Sequence, residues 1–192
     1  MVKIKKFRYI KLLAAVLIIY AAVLSLPNIL KLLYPIEYKE TIIKNGEIYN
    51  IDPLLLAALI KTESNFEPQA ESRKGAKGLM QITPATGEWI AKTINMSNYE
   101  EDMLFDPEVN ILLGSWYVKH LRDYYKSSFE LVFAAYNGGR GNVDKWLKDK
   151  NLSSDGMTLD TIPFPETKNY IEKLRKNYNI YKFVYKSEAF NL

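Results

Sequence analysis

Two hydrophobic patterns divide the chain. Residues 12–30 form an apolar run without a formal charge. From residue 36 onward, apolar positions recur every three or four residues, and no stretch alternates in the manner of a strand. Residues 38–50 predict a first helix, with Tyr38, Ile42 and Tyr49 on one face and Gly46 as an unfavourable interior residue. Asp52-Pro53 supplies an N-cap and a first-turn proline for a helix through residue 63. Thr83-Pro84 and Asp106-Pro107 repeat that start signal before helices over 85–95 and 108–125. A short apolar helix over 128–136 stops at Asn137-Gly138-Gly139, and 143–148 and 165–185 complete the set. Residues 65–82 and 151–161 read as loops. The first is long and rich in glycine, charge and amides, as functional loops are. The last few residues are expected to be loose. These elements predict an all-α domain over residues 36–192, preceded by a separate segment, 1–35.

As a helix, the apolar run at ~1.5 Å per residue nearly matches the ~30 Å hydrocarbon core of a bilayer. Lys3, Lys5, Lys6, Arg8 and Lys11 precede it and Lys31 closely follows. That asymmetry places the preceding residues in the cytoplasm and the domain outside, as a single-pass protein of the cell membrane. A signal peptide cleaved to release a secreted domain is the alternative, but no clean Ala-x-Ala site precedes a polar start. Pro27 and Asn28 weaken the outer end of the span without excluding it. Both readings export the domain.

Charge and composition narrow the chemistry. The net charge of +4 arises in the first segment, where six lysines and arginines meet no acid. The remainder, with 20 Lys+Arg against 22 Asp+Glu, is slightly acidic and has no basic patch, so nucleic acid is excluded as a partner. Zero cysteines remove disulfides, thiolate nucleophiles, Cys-based metal sites and lipoprotein processing. The one histidine, His120, has no second ligand beside it and reads as a packed or surface residue. No EF-hand spacing occurs, and neither a metal nor a cofactor is implied. What remains is chemistry run by carboxylates, hydroxyls and amides.

Glu63 is the principal candidate. It closes its predicted helix on the stripe of Leu56, Leu59 and Ile60, beside apolar side chains and near the negative end of the helix dipole. Both effects disfavour ionisation, so its pKa is expected to be raised, as a general acid for a glycosidic oxygen requires. Four motifs accompany it in order: Glu63-Ser64, with Ser72 nine residues on; Gly78-Leu79-Met80-Gln81; Ala135-Tyr136-Asn137-Gly138-Gly139; and Glu166-Thr167-Lys168-Asn169-Tyr170. Together they resemble the lytic transglycosylases of the soluble, goose-lysozyme-like (SLT) type over residues 38–186, nearly the whole domain.

The resemblance implies a lysozyme-like helical fold with a groove for peptidoglycan. It also implies cleavage of the β-1,4 bond between N-acetylmuramic acid and N-acetylglucosamine, with formation of a 1,6-anhydro ring. By position, Glu63 matches the family's catalytic acid/base. Ser72, Met80, Gln81, Tyr136, Asn137, Glu166 and Tyr170 match groove-lining residues. Peptidoglycan strands and, through the apolar helix, the membrane are the implied partners. Gly138-Gly139-Arg140 stands where many relatives have Ala-Gly-Pro, which loosens that loop. The residue types suit a sugar groove: tyrosine offers a flat apolar face with a hydroxyl, and Asn and Gln offer a donor and an acceptor for N-acetyl groups. Gly75 and Gly78 are expected to let the loop approach the glycan. A hydrolytic muramidase of the goose-lysozyme sort and a membrane-tethered glycan-binding protein without activity are the alternative readings.

Overall fold

A computed structural model describes residues 2–185. The final residues expected to be loose lie mostly outside that range. Eight α-helices follow in order: α1 (Val2–Leu33), α2 (Lys39–Tyr49), α3 (Pro53–Glu63), α4 (Pro84–Thr93), α5 (Pro107–Tyr124), α6 (Phe129–Gly138), α7 (Arg140–Lys148) and α8 (Pro165–Tyr185), with a 3₁₀ turn, Glu101–Phe105, before α5. Among the described residues the only β pairing is two isolated bridges, Glu71 with Lys77 and Lys77 with Ile82. The chain is all-α, as its periodicity predicts.

The caps form where the sequence places them. Asp52 Oδ1 accepts the Leu54 N–H at 2.8 Å, Thr83 Oγ1 accepts the Thr86 N–H at 3.3 Å, and Asp106 Oδ1 accepts the Val109 N–H at 2.9 Å. In each case proline occupies the first turn, where a missing N–H costs nothing.

The domain is built around α3. Leu54, Leu56, Ala57, Ala58, Leu59, Ile60 and Thr62 are all buried, so the helix is covered almost all round. α8 lies along it, α2 packs against both it and α5, and α6 joins α5, α7 and α8. Burying each leucine or isoleucine contributes about 1.5–3 kcal/mol, which makes α3 the rigid member that carries Glu63. Gly46, an unfavourable residue by local propensity, is explained by this packing. A Cβ there would sit 2.8 Å from both the Ile51 carbonyl oxygen and Pro53 Cγ, so the tight turn from α2 to α3 demands glycine. Tyr38, expected as the first helical residue, instead caps α2 in a left-handed conformation.

α1 runs through position 27 without a break, and Leu12–Leu33 is long and apolar enough to cross a membrane, with its apolar window not buried by the protein. His120 lies between Trp89 and Trp116, with ring centroids 5.1 and 5.2 Å away. Burial lowers its pKa, consistent with a packed residue.

Candidate active site

Glu63 is the last residue of α3, and its side chain leaves the core at an open cleft of about 500 Å³. Ser72, Arg73, Lys74, Ala76, Gln81, Thr83, Tyr136, Asn137 and Glu166 complete the walls. Four separate stretches of chain therefore meet at one hollow: the end of α3, the loop before α4, the end of α6 and the start of α8.

The electrostatics of Glu63 follow from its surroundings. Burial raises its pKa to about 7, and two neighbours keep it from rising further. The Tyr170 hydroxyl donates to Glu63 Oε1 at 2.5 Å, and Lys173 favours the carboxylate through its charge. Burial and the nearby Glu63 charge push the hydroxyls of Tyr170 and Tyr136 well above the usual tyrosine range. Both therefore remain O–H donors at any working pH. The carboxyl is poised to exist in both protonation states near neutrality, the condition under which one side chain can give and then take a proton.

The remaining residues hold the loop in place. Tyr136 donates its hydroxyl to the Met80 carbonyl at 2.8 Å, and Ser64 Oγ donates to the Leu79 carbonyl at 2.8 Å. Gln81 spends its amide N–H groups on the Ala70 and Gly78 carbonyls, at 3.1 and 2.9 Å, while lining the cleft. Ser72 Oγ accepts the Ala76 N–H at 3.0 Å. Asn137 is exposed on the cleft wall, and Thr167 Oγ1 fixes its amide oxygen from a distance of 2.8 Å. Glu166 is exposed and lines the same cleft.

Two expectations change. Met80 does not offer its side chain to the groove: it is fully buried, with its sulfur against Gly114, where a Cβ would lie 2.4 Å from Sδ. Its carbonyl accepts the Tyr136 hydroxyl. Gly78 does not serve an approach to glycan. It has φ +75°, and a Cβ would come within 2.1 Å of the Leu104 carbonyl oxygen and 2.4 Å of Asn110 Nδ2, so glycine here admits the protein's own backbone. Gly75, with φ +74° and open space around it, lies at the tip of the loop.

Asn110 and Lys173 lie outside the four motifs, and Thr167 lies inside the last of them without being one of the candidate site residues. Asn110 falls on the same stripe of α5 as Leu113, Gly114 and Tyr117, and an amide on an apolar stripe is a signal for a buried polar brace. Lys173 follows Tyr170 by three positions and so shares its face of α8.

The Tyr170 bond yields a direct test. Tyr170→Phe keeps the ring and removes the donor that favours the carboxylate. The Glu63 pKa should then rise by roughly one unit, and the alkaline limb of activity should move up with it, while turnover falls roughly tenfold. A pH profile of kcat/KM that superimposes on the parental one would show that the hydrogen bond does not tune the acid.

The chain is similar to known proteins in sequence and fold. The family description "Transglycosylase SLT domain" matches residues 40–156. The chain is 30% identical over 143 residues to the soluble lytic murein transglycosylase of Escherichia coli, covering 73% of this chain and 22% of that protein. It is 32% identical over 166 residues to the membrane-bound lytic murein transglycosylase C of Pectobacterium atrosepticum, covering 74% of this chain and 46% of that one. The crystal structure of the 70 kDa soluble lytic transglycosylase of E. coli superimposes with a TM-score of 0.74 at 27% identity, over 83% of this chain and 26% of that one. The chain thus spans about a quarter of the soluble relatives and under half of the membrane-bound one.

Proposed function

The chain belongs to the SLT transglycosylase family, and from that premise we propose that it is a membrane-anchored murein lytic transglycosylase whose only catalytic carboxyl is Glu63. The observation that carries this reading is a carboxyl raised to about 7 on the wall of a cleft that also presents Asn137, Gln81 and Tyr136.

In this reading the protonated Glu63 gives its proton to the oxygen linking N-acetylmuramic acid to N-acetylglucosamine. The C1–O bond breaks, and the muramic acetamido oxygen bonds to C1 as an oxazolinium ion. The ionised Glu63 then takes the proton of the sugar's own C6 hydroxyl. O6 attacks C1, the acetamido oxygen leaves, and a 1,6-anhydro ring closes. Glu63 ends protonated and no water is consumed, so the cycle balances. A pKa near the working pH serves both halves, and the intramolecular attack has a large proximity advantage over water. Tyr170 and Lys173 steady the carboxylate between the two steps. Asn137, Gln81, Ser72 and Glu166 supply polar contacts for the amino sugars. Met80 contributes through the carbonyl it offers Tyr136.

Mass analysis of products from purified peptidoglycan tests the reading. Anhydromuropeptides are expected. Reducing muramic ends would instead assign a hydrolytic muramidase, and no new ends would leave a glycan-binding protein. Residues 1–35 act in this proposal as an uncleaved anchor, with the positive flank before the apolar run in the cytoplasm and the cleft outside.

A further inference from the structure

α8 touches both the cleft and the end of α1. At the cleft, Tyr170 donates to Glu63, Lys173 Nζ donates to the Thr62 carbonyl at 2.9 Å, and Asn177 Nδ2 donates to Thr62 Oγ1 at 2.9 Å. One to three turns further on, the same helix grips the exit of α1. The Tyr34 ring meets that of Tyr181 edge-on at 5.5 Å, and its hydroxyl lies 3.5 Å from Asn177 Oδ1. Tyr181 donates to the Pro35 carbonyl at 3.1 Å, and Tyr185 donates to the Tyr34 carbonyl at 2.8 Å. From α3, Lys61 Nζ donates to the Leu33 carbonyl at 3.0 Å and sits 5.2 Å over the Tyr34 ring. Three successive carbonyls, that of Leu33 at the end of α1 and those of Tyr34 and Pro35 just after it, are thus held by the catalytic domain itself, the first of them a group that a helix end normally leaves to water.

The pairing also has a direction. Lys31 lies over the ring of Tyr185, whereas Tyr34 meets Tyr181 and Asn177. Later residues of α1 face earlier residues of α8, so the two helix ends overlap antiparallel and the N-terminal part of α8 leads away from the end of the apolar span. Tyr181 and Tyr170 are eleven positions apart on one face, about 16 Å at the α-helical rise. Tyr34 directly follows the apolar span, the place where tyrosines sit at the headgroup level.

We propose that α8 is a rigid spacer which fixes the cleft at a set height above the bilayer, so that the substrate is restricted to glycan strands within about 20 Å of the membrane surface. A flexible tether of the same length would let the domain swing and reach strands over a range of heights. Here the connection is a capped helix end locked to two helices of the catalytic core. The tyrosines Tyr34, Tyr181 and Tyr185 position the domain and take no part in the chemistry. The proposal rests on α1 spanning the membrane as described above.

Because the chain has no cysteine, Lys74→Cys on the cleft rim gives a unique site for a fluorophore. The full-length protein is placed in phosphatidylcholine–phosphatidylglycerol vesicles carrying a headgroup acceptor, and time-resolved energy transfer gives the distribution of heights. A single narrow distribution is expected. It should broaden at least twofold in Tyr34→Ala/Tyr181→Phe/Tyr185→Phe, with unchanged helicity by circular dichroism and unchanged flotation with the vesicles. A broad distribution in the parental protein that floats overturns the spacer and leaves the anchor standing, and so does a folded triple variant that matches the parental width. Failure of the parental protein to float overturns both. None of these readouts depends on cleavage, so the proposed reaction stands or falls separately.

Discussion

Glu63→Gln is expected to lower cleavage of peptidoglycan by about 10³-fold or more, and at alkaline pH to make the protein more stable than the parent. The two effects share one origin. In the unfolded chain the carboxyl titrates near 4.5, while in the folded protein burial raises it to about 7. The folded state holds the proton more tightly. The stability this contributes is therefore complete below about 4.5, shrinks as the pH rises, and is gone once the pH has passed through 7. At pH 9 the folded protein carries a charge in a half-buried place, at a cost on the order of 2–3 kcal/mol. Glutamine keeps the shape and an oxygen to accept the Tyr170 hydroxyl but never ionises. Urea midpoints for parent and variant should therefore diverge between pH 5 and pH 9, with the variant gaining at the alkaline end. Parental activity should fall over the same interval as the acid loses its proton. Equal midpoints at pH 9 would mean that the carboxyl is not held in an apolar setting. Parental cleavage rates in the variant would mean that it is not the acid.

The helices were legible because their signals are local. Three Asx- or Thr-Pro starts, each with its side-chain cap, and a three-to-four-residue apolar rhythm need no knowledge of the rest of the chain. The raised pKa of Glu63 was legible for a similar reason, since Leu56, Leu59 and Ile60 share its helix face. What the sequence hid depends on partners far along the chain. Tyr170 reaches Glu63 across 107 positions, and only the fold brings the two together. Gly46 looked like a flaw in α2 until Pro53 was placed against it. Gly78 and Met80 carried the right types for a sugar-facing loop. In the structure, however, the loop turns both inward, because Leu104, Asn110 and Gly114 leave spaces only they can fill. In the cleft-forming loop, residue type alone could not separate a side chain that faces solvent from one that holds the loop down.

Asn110 shows how much depends on that hold. It is fully buried, and its amide makes three hydrogen bonds to backbone. Oδ1 accepts the Met80 N–H at 2.7 Å, and Nδ2 donates to the Leu104 and Lys77 carbonyls at 2.7 and 3.0 Å. Asn110→Ala would strand two buried backbone groups, the Met80 N–H and the Leu104 carbonyl, each costing about 1–3 kcal/mol, while the Lys77 carbonyl keeps the Ile82 N–H, so a loss of about 2–5 kcal/mol is expected after relaxation and entry of water. The damage is also directed. Met80 carries the carbonyl that Tyr136 grips, and Gln81 follows it on the cleft wall, so turnover should fall even under conditions where the variant stays folded. Two companions separate the causes. Asn110→Leu restores the volume without the bonds and should be as unstable as the alanine variant. If leucine recovers the parental urea midpoint, the residue merely fills space. Asn110→Asp keeps the acceptor for Met80 but points a carboxylate at two carbonyls. Its midpoint should improve as the pH falls and the acid gains a proton to donate, whereas the leucine variant should show no such recovery. An aspartate variant whose midpoint ignores pH would show that the Leu104 carbonyl finds another donor, and that the loop does not depend on this amide.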